Sequence, residues 1–295
     1  MRVTQSMLTT NMLRNLSKSY NKMGILQEQI NSGKKITRPS QDPVVAIKGI
    51  GYRTDLNKVE QYQRNLGEVN NWLDSSDDAL DKVGFALHRV QELITQASTD
   101  TLTPDDRTKI EKEITQIKEQ MRDMSNTKVG DKYIFSGTNT NSPLHDGTNF
   151  LTTGAAPGVN KDVNIEVYDG VEITVNTKGL DIFQNIDAMI IGLEADLKDP
   201  NKSGKDFDKY LTMKSDNEKV VLAARADIGA RQNRVDMMEN RLGAQEVIVT
   251  KQLSNNEDID YEKAITEMIT QESIHQAALS VGAKIIQATL VDFIR

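Results

Sequence analysis

Twelve positions between Val59 and Ala97 step alternately by three and four without a slip: Val59, Tyr62, Leu66, Val69, Leu73, Ser76, Leu80, Val83, Leu87, Val90, Ile94 and Ala97. Only Ser76 interrupts their apolar character. A seven-residue hydrophobic repeat of this length predicts one long helix burying one seam against other helices. Asp42-Pro43 supplies its start, because aspartate caps a helix N-terminus and proline is tolerated at the first helical position. From Pro43 to Ala97, at about 1.5 Å per residue, the helix is a rod on the order of 80 Å long. A chain built around such a rod is expected to be elongated.

The chain ends repeat the pattern. Near the C-terminus the steps fall on Ile265, Ile269, Glu272, Gln276, Leu279, Ala283, Ile286, Leu290 and Phe293, and near the N-terminus on Leu13, Leu16, Tyr20, Met23, Gln27 and Ile30. Chain ends usually fray and tolerate change, so strong apolar seams at both ends point to the joining of other molecules. Val3 to Asn31 reads as the first helix, stopped by Ser32-Gly33, and Asp258 reads as the cap of the last.

Composition fits helical rods rather than a compact ball: 37% hydrophobic residues, 5% aromatic and 27% charged. The absence of cysteine excludes disulfides, thiolate metal sites and cysteine catalysis. No apolar run is long enough to span a bilayer, and the basic start is not followed by the continuous apolar core of a secretory signal. The net charge of −7 is uneven: residues 1–40 carry +6 and the remainder −13. A basic amphipathic leader invites a nucleic-acid, membrane-surface or organelle-targeting reading, but a solvated helix face that complements an acidic neighbour is the favoured one.

Between the long helix and the C-terminus the pattern changes twice. Thr103-Pro104-Asp105-Asp106 starts a helix through Ile110, Ile114, Ile117, Met121 and Met124 to about Gly130, expected to fold back antiparallel on the long one. Tyr133 to Gly137 reads as a strand. A hairpin follows around Asp169-Gly170. A three-residue loop, Tyr168-Asp169-Gly170, pairs Val167 with Val171, Ile165 with Ile173 and Val163 with Val175, which puts the aliphatics on one face; a two-residue loop does not. Helical pattern returns over Asp181 to Leu197 and again from about Asp206 to Leu253. The expected fold is mainly α, long antiparallel helices with a small β-rich insertion in mid-chain. Its expected parts are 1–40 with 256–295 as terminal helices, 41–132 with 201–255 as the helical core, and 133–200 as the outer insertion.

Residues that could carry chemistry are scattered. His88, His145 and His275 lie in separate segments, none with a second ligand at metal-binding spacing. Gly49-Ile50-Gly51 lacks the third glycine of a dinucleotide loop and falls inside a helix, and no phosphate-binding or nucleophile-elbow motif is present. Asp77 and Asp78 point about 100° apart on a helix and cannot converge. The sequence therefore predicts no catalytic, cofactor or metal residue and no enzyme. Aromatics do not interleave with the basic residues and the chain is acidic, so neither nucleic acid nor membrane is expected as a partner.

Two separated, collinear stretches resemble the bacterial flagellin family. The first runs from Gln29-Ile30-Asn31-Ser32-Gly33 through Ser40-Gln41-Asp42-Pro43 and Tyr62-Gln63-Arg64-Asn65 to Trp72-Leu73-Asp74-Ser75-Ser76-Asp77-Asp78-Ala79-Leu80. The second is Arg225-Ala226-Asp227-Ile228-Gly229-Ala230-Arg231-Gln232-Asn233-Arg234 with the terminal helix. Within the family, Gly130-Asp131-Lys132-Tyr133-Ile134-Phe135-Ser136-Gly137-Thr138 is similar to the hook–filament junction members. The segment 139–200 has no such match. The resemblance implies a structural subunit, exported unfolded through the flagellar type III apparatus and polymerised outside the cell. The implied partners are other copies of the chain, a preceding FlgK-like hook-associated protein, flagellin, and a FlgN-like export chaperone. It implies assembly through Leu13, Leu16, Tyr20, Met23, Ile30, Ile265, Ile269, Leu279, Ala283, Ile286, Leu290 and Phe293, with Leu279, Ile286, Leu290 and Phe293 also held by the chaperone. The terminal helices are then expected to order with assembly rather than before it. Filament flagellin itself, or from the pattern alone a cytoplasmic coiled-coil tether, are the alternatives.

Overall fold

A computed structural model describes residues 5–99, 103–151 and 157–286. Among them lie six α-helices: α1 (Gln5–Ser32), α2 (Pro43–Ala97), α3 (Pro104–Ser125), α4 (Gly179–Lys198), α5 (Asp208–Glu257) and α6 (Tyr261–Ile286). Four short strands, β1 (Lys128–Val129), β2 (Lys132–Tyr133), β3 (Asn164–Tyr168) and β4 (Val171–Thr174), form two antiparallel hairpins. The fold is mainly α. Its packing divides it into two units, Met1–Lys58 with Gln245–Arg295, and Val59–Ala244.

The second unit is organised by α2. Val59, Leu66, Val69, Leu73, Leu80, Val83, Leu87, Val90, Ile94 and Ala97 are all buried, as the repeat requires. Ser76, the odd member, is buried without penalty because its hydroxyl donates to the Trp72 carbonyl at 2.8 Å. Helix α5 runs antiparallel to α2: Gln232 meets Asp74, Arg225 clamps Asp77 and Asp81, and the buried Lys214 donates to Gln91. Val221, Ile228, Val235 and Leu242 close that seam. Helices α3 and α4 are likewise antiparallel, tied by Glu111–Lys198, Lys118–Glu194 and Arg122–Asp187. Thr103 caps α3 by accepting from the Asp106 amide, and Asp206 with Ser203 forms a capping box at a 3₁₀ turn, Gly204–Phe207, that leads into α5.

Two local expectations are corrected. The strand read at Tyr133 to Gly137 is only two residues long, at Lys132–Tyr133, paired with Lys128–Val129. Gly130, at φ +58°, turns the chain back inside the segment read as the end of a helix. Ile134 and Phe135 then enter the core as coil, fully buried. In the second hairpin Ile165 does face Ile173, and the Val175 amide donates to the Val163 carbonyl at 2.9 Å. The loop, however, is the two residues Asp169-Gly170, and the register shifts between Glu166 and Tyr168. The extra residue is accommodated in the strand, which lets Val167 stay buried while Tyr168 pairs with Val171. Tyr168 lies beside Tyr62, ring centroids 6.0 Å apart, and the Arg241 guanidinium sits over its ring at 4.1 Å. Val167, Ile173 and Val175 join the same buried cluster as the α2 seam.

In the first unit α1 packs against α6. Asp258 does not cap α6. Helix α5 continues to Glu257, Asp260 accepts from the Lys263 amide, and Asp258 turns back to an ion pair with Lys34 at 2.5 Å. A basic residue waiting across the chain crossover outcompeted the local cap.

Candidate assembly surface

The α1–α6 pair is antiparallel: Met12 lies over Gly282, Tyr20 over His275, and Gly33 over the Tyr261 hydroxyl. On α1 the side facing the pair carries Met12, Leu16, Ser19, Met23, Leu26 and Ile30, again alternating fours and threes, with Leu26 buried. On α6 it carries Ala264, Met268, Gln271, His275, Ala278 and Gly282. Gly282 has no room for a Cβ because Met12 fills that space. This inward stripe of α6 lies one residue before the apolar repeat read from the sequence, a rotation of about 100°.

The consequence is an apolar exterior. Ile265, Ile269 and Leu279 remain 46%, 59% and 47% exposed, and Ala283 is exposed beside them. On α1, Leu16, Met23 and Ile30 turn inward, whereas Leu13 and Tyr20 remain exposed. Ile286 ends α6, while Leu290 and Phe293 lie outside the described residues. Met7, Leu8, Ile25, Ile274 and Val281 are exposed too. These five escape a search for one stripe per helix. Their signal is the presence of apolar residues on more than one face, a pattern that marks a helix with more than one neighbour. The expectation that the terminal helices order only with assembly is corrected: over residues 5–32 and 261–286 they are formed and paired in the single chain. What is left open is their outer surface, where exposed apolar side chains recur along both helices.

The inward stripe is a poor seam by comparison. Ser19 Oγ and His275 Nδ1 are buried there without hydrogen-bond partners, each such atom costing about 1–3 kcal/mol. Among the described residues no group of three or more histidines, cysteines and acids could hold a metal ion. What this surface offers a neighbour is apolar area to bury.

The family models of known proteins match this arrangement in two pieces. The bacterial flagellin N-terminal helical region matches residues 3–140, and the flagellin C-terminal helical region matches residues 215–294. The chain belongs to the bacterial flagellin family. The two family regions contain both terminal helices, and the residues between them hold β3, β4 and α4. Among its relatives, flagellar hook-associated protein 3 of Salmonella typhimurium is 24% identical over 305 residues, covering 94% of this chain and 95% of that one. A flagellin of Bacillus subtilis is 25% identical, covering 96% of each. The crystal structure of Bacillus cereus FlgL has a similar fold, with a TM-score of 0.58 at 22% identity over 69% of this chain and 99% of that one.

Proposed function

We propose that this flagellin-family chain is a structural subunit of the hook–filament junction, joining the hook-associated region to the flagellin filament. The observation that carries the reading is the apolar outer face of the α1–α6 pair, at Leu13, Tyr20, Ile265, Ile269 and Leu279, in a chain whose two family regions contain both helices. The junction assignment draws on the full-length similarity to a hook-associated protein 3 and on the Gly130 to Thr138 segment. In this reading the subunit is elongated and non-catalytic, with residues 133–200 facing outward. It passes unfolded through the flagellar type III apparatus, and cysteine-free sequence leaves no disulfide to obstruct that passage. Outside the cell it meets copies of itself, a FlgK-like protein on one side and flagellin on the other. Before export a FlgN-like chaperone covers the end of the C-terminal helix, including Leu279, Ile286, Leu290 and Phe293.

Deleting the gene tests the reading. Cells with hooks, without filaments, and with flagellin released into the medium are the expected result; normal filaments overturn it. The similarity to a flagellin along the whole chain keeps filament subunit as the second reading. It predicts that the purified chain alone polymerises into long filaments.

A further inference from the structure

Both chain crossovers of the first unit are stitched to one another, and the stitches are charged. After α1, Gly33 takes φ +70° and Lys34 bridges to Asp258 through the backbone. The Ile259 amide donates to the Gly33 carbonyl at 3.0 Å, and the Lys35 amide to the Glu257 carbonyl at 2.6 Å. Lys34 Nζ pairs with Asp258 at 2.5 Å, and Ser254 donates to the other oxygen of that carboxylate at 2.6 Å. Lys35 Nζ donates to the Asn255 carbonyl at 2.7 Å. At the centre is Glu257, whose side chain is only 7% exposed, held by Arg53 at 2.6 Å with Lys34 3.8 Å away. Its carboxylate lies directly over Gly49 of α2, where any Cβ would collide with it. That glycine therefore has a role the sequence pattern did not assign: it makes room for a buried charge.

The pair that springs from this joint has little to hold it closed. Its seam mixes the half-buried Met12, Leu16, Met23, Ile30 and Met268 with Ser19, Gln271, His275 and Gly282, and among its described residues only Leu26 and Ala264 are fully buried apolar side chains. In proteins most helical stability comes from tertiary packing of one face rather than from the helix by itself. Of these charged groups only the Glu257 carboxylate is buried, while Arg53, Lys34 and Asp258 are about half exposed; taking Arg53 away leaves a buried charge without its main partner, which makes the contact an effective lock.

We propose that the Lys34–Arg53–Glu257–Asp258 joint is a latch that decides whether α1 and α6 stand as one closed pair, and so whether their outer apolar face exists as a single surface. It rests on the assembly reading only for what that face is used for; the latch itself is a property of the isolated chain. With the joint closed, α1 and α6 are set in register from their common root. With it broken, they open as a unit, and the second unit keeps its own core.

Hydrogen exchange followed by mass spectrometry on the purified full chain tests this. Arg53→Gln leaves the buried Glu257 carboxylate without its main cation, and Gly49→Ala pushes the carboxylate off Arg53 without touching any charge. Both variants should speed exchange across residues 5–32 and 261–286 by roughly tenfold or more, the factor implied by losing one charge-assisted hydrogen bond. Residues 59–244 should exchange as before, and Arg53→Lys, which keeps the cation, should stay near wild type. Unchanged protection of both terminal helices in the two variants overturns the proposal. So does acceleration that spreads equally into residues 59–244, which would make the joint part of one global core. Because the readout precedes any assembly, failure of the junction reading leaves it untouched, and the reverse also holds.

Discussion

Ile269→Asp separates assembly from folding. Ile269 is 59% exposed on α6, so the lone chain already forgoes most of the free energy its burial could supply. Covering the rest against a neighbour is worth about 1–2 kcal/mol of the 1.5–3 kcal/mol for a fully buried isoleucine. An aspartate at the same place loses that term and adds the desolvation of a carboxylate, several kcal/mol more. A loss on the order of 4 kcal/mol per contact weakens association roughly a thousandfold. The isolated chain should hardly notice, since exposed substitutions usually move stability by less than about 0.5 kcal/mol. The assay is twofold: thermal melting of the purified chain, and recovery of the protein in sheared flagella from cells carrying only the variant. Wild-type melting with no protein in the flagellar fraction is expected. Normal incorporation, or melting lowered by several kcal/mol, would refute the separation.

Other perturbations probe the second unit. His145 is buried, its Nδ1 accepts from the Gly147 amide, and its Nε2 has no partner. Burial first, then the charge of Arg122, holds its imidazole below the ordinary range. The unfolded chain takes up a proton near about pH 6.5 while the folded one resists, so unfolding binds protons, and stability should fall as pH drops from there toward the lower folded value. Urea melts between pH 7.5 and 5 should show that slope reduced in His145→Gln; an undiminished slope removes His145 as its source. Gly137 has φ +61°, and a Cβ there would strike the carbonyls of Gly158 and Val159. Gly137→Ala should cost at least the roughly 1–2 kcal/mol of the left-handed conformation, read as a lower midpoint in the same melts, and an unchanged midpoint contradicts the packing described.

How much of this was readable in the sequence varies with the distance over which each feature is decided. Helix α2 was legible from Pro43 to Ala97 because cap, proline and an unbroken repeat all lie in the same stretch. The pairing of Ile165 with Ile173 was legible because alternation fixes register. The loop was not, since a bulge at Val167 places both Val167 and Tyr168 favourably and no local signal announces it. Asp258 looked like a helix cap because its competitor, Lys34, is remote in the chain. The apolar repeats of α1 and α6 were legible as positions, but not as directions. Hydrophobic spacing says that Ile265, Ile269 and Leu279 share a face; it does not say whether that face meets a helix of the same chain or another molecule. The small and polar stripe from Ala264 to Gly282, which does meet α1, has almost no hydrophobic signature.

The cysteine-free sequence makes a direct measurement possible. Ile269→Cys and Leu279→Cys, each the only thiol in its chain, can be reacted with a maleimide in the purified protein and again in intact flagella carrying the variant. Prompt labelling in the isolated chain and strong protection in the flagellum is the result expected of an outer face that is closed only by neighbours. Thiols already protected in the isolated chain, or equally reactive in both, would contradict it.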